Sequence, residues 1–259
     1  MYTLYSLDAS FAARPLDQFG ARAIERWSEQ HPQWKPGTRH TYLSTVRTFV
    51  EWLVRRKVVP SGVFDDIHMP RKPKPSPRPI PRDDVALLLA VAPDSRARLI
   101  VTLQWRLGLR CCGVANLRIE DVDFIGSAVT VREKYGQERR LPLLPDVRTV
   151  LAAFLAENPA TSGPLLRSRI HPWRGLTPAY VGELVARWML TAGVKARPGD
   201  GRTAHALRHS CLTEVAEHSP DPWVLAELAG WSSIQTASYY VRRANTDRIR
   251  TALEQRGTI

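Results

Sequence analysis

Cysteine is scarce in this chain. Three occur in 259 residues, Cys111, Cys112 and Cys211, and no two form a C-x-x-C pair. So sparse and odd a set argues against a disulfide framework and fits a reducing compartment; the three read best as small buried hydrophobes. No apolar run approaches the length of a membrane span, and the N-terminus lacks the pattern of a secretory signal. The expected location is therefore cytoplasmic, with no membrane partner. Internal repeats are absent. Lysine is rare too: only Lys35, Lys57, Lys72, Lys74, Lys134 and Lys195 are present.

What is there in excess is arginine. Lys plus Arg total 37 against 25 for Asp plus Glu, a formal net charge of +12. A surplus of this size points to a polyanionic partner, most often nucleic acid. The surplus is not confined to a tail. Residues 1–82 hold 14 basic and 7 acidic residues, so +7; residues 83–259 hold the remaining 23 and 18, so +5. Both parts of the chain are equipped to meet an anion.

The clearest boundary is P-R-K-P-K-P-S-P-R-P-I-P at 70–81, with proline at 70, 73, 75, 77, 79 and 81. Such density forbids helix and sheet and favours an extended segment. Lys72, Lys74 and Arg78 lie within it. Two readings stand open: a cationic linker lying along a phosphate backbone, or a solvated spacer. Residues 1–69 before it read as a small helical domain. Phe19, Ala23, Ile24 and Trp27 share one side of a helix over 16–30. Tyr42, Val46, Phe49, Val50 and Leu53 do so over 38–57, with Thr38 as its cap. Arg39, His40 and Arg47 ride on the second helix as candidate DNA contacts. Little chain precedes the first of these helices, which predicts no additional N-terminal domain.

Residues 82–259 form the second expected domain, mixed in character. Helices are predicted over 82–92, 94–108, 147–157, 178–192, 204–217, 222–229 and 233–255. Residues 127–133 alternate as a strand, Tyr135-Gly136 makes a turn, and 138–144 returns as a second strand. The whole is mainly α with a small antiparallel β-hairpin.

Four stretches carry residues suited to chemistry: L-G-L-R ending at Arg110, Lys134 at the hairpin tip, H-A-L-R-H at 205–209, and G-W-S-S-I-Q-T-A-S-Y-Y at 230–240. His205 and Arg208 share a helix face and together could donate to two oxygens of one phosphate. His205 and His209 also stand at i, i+4, a metal-ligand spacing. Arg208 between them would repel a cation, where zinc hydrolases place a glutamate. No metal and no other cofactor is expected. Taken alone, each stretch has a plain structural reading: a surface helix, an exposed turn.

In this order and spacing, however, the stretches resemble the tyrosine recombinases, the phage-integrase family that includes the Xer and Cre recombinases. In that family a first arginine follows a glycine turn, as Arg110 does, and a Leu-x-x-x-Asp stretch similar to 117–121 comes next. A hairpin lysine corresponds to Lys134, and an H-x-L-R-H box to 205–209. A leucine-small-glycine-His/Trp turn matches 228–231, with the nucleophilic tyrosine ten residues past the glycine at Tyr240. The resemblance covers most of 83–250. The N-terminal part resembles the family's helical core-binding domain in size, helicity and charge. Gly113 departs from the family, which usually has an acidic residue there, and Trp231 stands where many relatives have histidine. Tyr239 is a rival to Tyr240, a quarter turn away.

The resemblance implies a catalytic set of Arg110, Lys134, His205, Arg208, Trp231 and Tyr240. It implies cleavage and rejoining of DNA through a 3′-phosphotyrosyl intermediate. Two arginines, a histidine and an indole N–H would meet the charge that builds on the non-bridging oxygens. By the same resemblance Lys134 supplies the proton to the departing 5′-oxygen and His205 takes that of the phenol. The implied partner is double-stranded DNA with paired half-sites, bound by four copies of the chain, in a prokaryotic, phage or mobile-element setting. An apolar stripe of Ile249, Ala252 and Leu253 would then dock on a neighbouring protomer, or pack on its own domain. Two alternatives remain: a type IB topoisomerase, sharing the phosphotyrosine chemistry, and a DNA-binding relative without catalysis, to which Gly113 alone points.

Overall fold

The computed structural model describes residues 2–11, 19–71, 78–132 and 138–255. The chain divides into two compact units, Met1–Lys74 and Pro75–Ile259.

The first unit is built from α1 (Tyr2–Phe11), α2 (Ala21–Glu29) and α3 (Pro36–Arg55). The apolar positions at helical spacing along α2 and α3 turn inward, while Trp52 of α3 stays exposed. Ile24, Trp27, Leu43, Val46, Val50 and Leu53 form the core with Leu7, Phe11 and Phe19. Phe49 and Tyr42 are half-buried against it. Trp27 satisfies its indole by donating to Ser6 Oγ at 3.1 Å, and Trp34 stacks on His31 with ring centroids 4.0 Å apart. Two details differ from expectation. Helix α3 starts at Pro36, not at Thr38, because proline at the first helical position loses no hydrogen bond and presets φ. Helix α1 was not foreseen; Leu7 and Phe11 are its buried apolar residues, too few for a periodic signal.

The second unit runs α4 (Arg82–Ala90), α5 (Ser95–Arg106), α6 (Cys111–Asn116), β1 (Val122–Asp123), β2 (Ala128–Arg132), β3 (Glu138–Pro142), α7 (Pro145–Glu157), α8 (Pro178–Thr191), α9 (His205–His218), α10 (Pro222–Ala229) and α11 (Ile234–Glu254). Helix α5 is central. Asp94 caps it, accepting from the Ala97 N–H at 2.8 Å, and Leu99, Ile100, Val101 and Leu103 are fully buried. It packs against α7, α8 and α9. The strands form one antiparallel sheet in the order β1-β2-β3, with Val129 opposite Leu141. Val129, Val131 and Leu141 face the core while Arg132 and Glu138 face solvent, the alternation that marks a half-buried strand.

Asp121, which ends a short 3-10 turn before β1, is 4% exposed. Its carboxylate accepts from the Arg118 N–H at 2.8 Å and pairs with Arg132. The Leu-x-x-x-Asp stretch thus fastens the sheet to α6. A second, smaller cluster of Leu212, Ala216, Leu225, Ala226, Ala229, Ala237 and Ala244 holds α9, α10 and α11 together. Among the described residues, no helix is long and apolar enough to cross a membrane.

Candidate active site

Two glycine turns frame the site. Helix α5 stops at Gly108, which takes φ +60°, a conformation glycine adopts without strain. The turn leads directly into Arg110, whose extended backbone caps α6. Helix α10 ends the same way at Gly230, φ +60° and ψ +51°, where the Trp231 N–H returns to the Ala226 carbonyl at 2.9 Å. One turn therefore delivers Arg110 and the other Trp231.

Helix α9 ties the two turns together. Arg208 is 5% exposed. One of its terminal nitrogens donates to the Gly108 carbonyl and the other to the Ala229 carbonyl, the latter at 2.7 Å. Its guanidinium also lies 5.5 Å from the Trp231 ring centroid. One fork of donors brackets both ends, a task a point-charge ammonium could not perform. The next residue but one, Ser210, hooks the incoming chain: its Oγ accepts from the Ile80 N–H at 2.7 Å and donates to the Ile80 carbonyl at 2.8 Å. Arg139 of β3 donates to the Leu228 carbonyl, so the hairpin is moored at the glycine turn of α10.

Tyr240 projects from α11 into this frame and is 5% exposed. Its phenol neighbours two rings: His209, with centroids 5.9 Å apart and 25° from parallel, and Trp231 at 5.6 Å and 32°. The hydroxyl is hydrogen-bonded to His209 Nδ1. His205, at the first position of α9, meets His209 edge-on with centroids 6.5 Å apart.

The electrostatics follow from burial among cations. Burial pushes the Tyr240 hydroxyl up to about 12, against a smaller opposing pull from Arg208. Burial, then His205 and Arg208, push His209 down to about 4, so its ring is neutral near pH 7 and accepts the phenol proton in the hydrogen bond. His205 also titrates below its ordinary value, through desolvation and then the charges of Arg208 and Arg110. Its residue as a whole is exposed, so partial shielding of the ring is enough for this.

The structure thus gathers His205, Arg208, Trp231 and Tyr240, with Arg110 close enough to act on His205. Lys134 lies outside the described residues, as do Lys72 and Lys74. Tyr239 is half-buried on the neighbouring face of α11. Gly113 is buried in α6; a Cβ there would meet Val131 at 3.5 Å and Leu109 at 3.7 Å, ordinary contacts. In the first unit, Arg39 is engaged with Ser28 Oγ at 2.9 Å and the His31 carbonyl at 3.2 Å. His40 donates to the Pro70 carbonyl at 2.7 Å. Arg47 pairs with Glu51 at 3.1 Å on the exposed face. Arg78 packs against Gly201, in the loop before α9. Arg39 and His40 are therefore structural in this unit as well as basic. The residue that sequence reasoning passed over is His209. Its place in H-A-L-R-H marked it only as a metal-ligand spacing, since nothing in that stretch shows that α11 will come to rest beside it.

A buried tyrosine bonded to one histidine, with a second histidine and a bracketing arginine nearby on a helical frame with one small sheet, fits the tyrosine recombinases. The chain belongs to the phage integrase family, which residues 79–247 match. It is 30% identical over 221 residues to tyrosine recombinase XerC of Rhodospirillum centenum, covering 78% of this chain and 61% of that protein. It is 33% identical over 177 residues to tyrosine recombinase XerA of Pyrococcus furiosus, covering 67% and 60%. The chain thus spans about three fifths of the length of these relatives. Its fold matches a crystal structure of a lambda integrase dimer bound to a COC′ core site with a TM-score of 0.75 at 16% identity, covering 93% of this chain and 86% of that one.

Proposed function

We propose that the chain is a site-specific DNA recombinase that cleaves and rejoins strands through a 3′-phosphotyrosyl intermediate, with Tyr240 as nucleophile. The observation that carries this reading is the buried Tyr240 hydroxyl, bonded to His209, with its ring against Trp231, over which the Arg208 guanidinium lies.

Tyrosine suits the exchange because a phosphotyrosyl ester resists water yet yields to a DNA hydroxyl, so the bond energy of the broken phosphodiester is kept. Arg110 and Arg208, with His205 and the Trp231 indole, would meet the charge that develops on the non-bridging oxygens. Lys134 is assigned the proton for the departing 5′-oxygen. Residues 1–69 act as a core-type DNA-binding domain and 82–259 as the catalytic domain, joined through the proline-rich stretch at 70–81. The partner is duplex DNA with paired half-sites, and four copies assemble on it. Contacts from both basic parts to phosphates would make affinity fall steeply with salt.

The test begins with selection of bound sequences from a random duplex pool, which defines the half-sites. A suicide duplex nicked beside the cleavage point should then trap a covalent protein–DNA adduct. Tyr240→Phe should abolish the adduct, and Arg110→Ala should slow its formation by about 10²–10³. No adduct from the wild-type chain on its own site would overturn the enzyme reading. An adduct that survives Tyr240→Phe and is lost in Tyr239→Phe would move the nucleophile by one residue.

A further inference from the structure

We infer that His209 is a positioning residue for Tyr240: it holds the phenol O–H in a fixed direction within the site and so sets how readily the nucleophile is presented. The inference deepens the recombinase reading above and rests on it.

Three observations converge. The first is the direct hydrogen bond between His209 Nδ1 and the Tyr240 hydroxyl. The second is the packing of the phenol against the His209 imidazole, 25° from parallel, and against the Trp231 ring, 32° from parallel. Both neighbouring rings lie within about 32° of parallel to the phenol, and the hydrogen bond fixes where its oxygen sits. The third is the anchoring on both sides. Ala237 and Ala244, one turn before and one turn after Tyr240, are buried in the cluster under α9 and α10, so the phenol's helix has a set face. His209 follows immediately on Arg208, which is locked to two backbone carbonyls. Neither ring is carried on a free segment.

The chemistry of the pair suits holding rather than deprotonation. The phenol, pushed up to about 12, keeps its proton, and the imidazole, pushed down to about 4, stays neutral and accepts. With the values so far apart the proton remains on the oxygen at rest. A buried hydroxyl without this acceptor would have to find another or turn away. His205 is the residue the resemblance assigns to the phenol proton, but in this structure the ring that touches the hydroxyl is that of His209.

The experiment uses the full chain and two readouts. In single-turnover adduct formation on the suicide duplex, His209→Phe keeps a flat ring and removes the acceptor. It should slow the step at least tenfold while the dissociation constant for the same duplex stays within twofold. His209→Asn restores an acceptor at nearly the same place and should recover most of the rate. His209→Phe at the wild-type rate, or His209→Asn no faster than His209→Phe, would overturn the inference.

The second readout needs no DNA. With 3-fluorotyrosine incorporated, the Tyr240 fluorine resonance, assigned by its loss in Tyr240→Phe, should move in His209→Phe and stay in the control His218→Phe. An unmoved resonance would overturn the pairing. If the wild-type chain forms no adduct, the recombinase reading falls, and the fluorine signal alone then decides whether His209 holds the tyrosine.

Discussion

His209 connects the site to stability. A histidine whose folded value lies near 4 is more easily protonated in the unfolded chain, where it titrates near 6.5. The stability this neutral ring contributes is fully present above about pH 6.5 and is lost as pH falls through about 4. With the partial burial of the ring discounted, the loss is about 2 kcal/mol. Thermal melting of wild type and His209→Asn between pH 7 and pH 4 should show the two converging as the solution is acidified. Parallel curves would mean that His209 does not titrate below its ordinary range. At this scale much of the site was legible. Arg110, His205, Arg208, Trp231 and Tyr240 were singled out because short stretches around them resemble a family's motifs. The carbonyls of Gly108 and Ala229 were not, since no side-chain pattern announces which backbone oxygens a guanidinium will meet. Nor was it visible that Arg39 and His40 spend their donors inside their own unit.

Helices and turns were legible in proportion to their length. The long amphipathic stretches gave α3, α5, α7 and α11 to within a few residues, and the alternation over 127–133 gave β2. Helix α6, six residues long, and β1, two residues long, span fewer than two full periods of their patterns and were invisible. Their positions are set by tertiary contacts instead: α6 by its packing on α8 and β1 by pairing with β2. The glycine turns are the elements most exposed to substitution. At Gly108 a Cβ would sit in a left-handed conformation and 3.3 Å from Cys211 Sγ. Gly108→Ala should cost about 1–2 kcal/mol and shift the residue two positions on, Arg110. Urea denaturation measures the first effect and single-turnover adduct formation the second. A variant as stable as wild type would show that the turn tolerates a side chain.

For the whole molecule, charge spoke most clearly and assembly least. The net +12 is spread over both parts of the sequence, which is why a polyanion was the natural partner from composition alone. The C-terminal stripe is different. Ile249 and Leu253 on α11 are 60% and 59% exposed, so they do not pack on their own unit in this structure. If they dock on another copy, Ile249→Glu with Leu253→Glu should leave the melting temperature nearly unchanged, since exposed substitutions usually act within about 0.5 kcal/mol. The same pair should reduce the complexes larger than one protein per half-site seen on native gels. A lowered melting temperature with unchanged assembly would assign the stripe to the chain's own core.

The Arg208 bracket joins residues 100 and 21 positions apart. It ties both turns to α9 beside the packing of α5, α10 and α11 on that helix, and local helix formation alone cannot bring them together. A chain with every helix formed but this closure missing carries all the same side chains without gathering them. A partly folded chain therefore holds these side chains apart until α9 has closed on both turns, and their assembly reports that folding is complete.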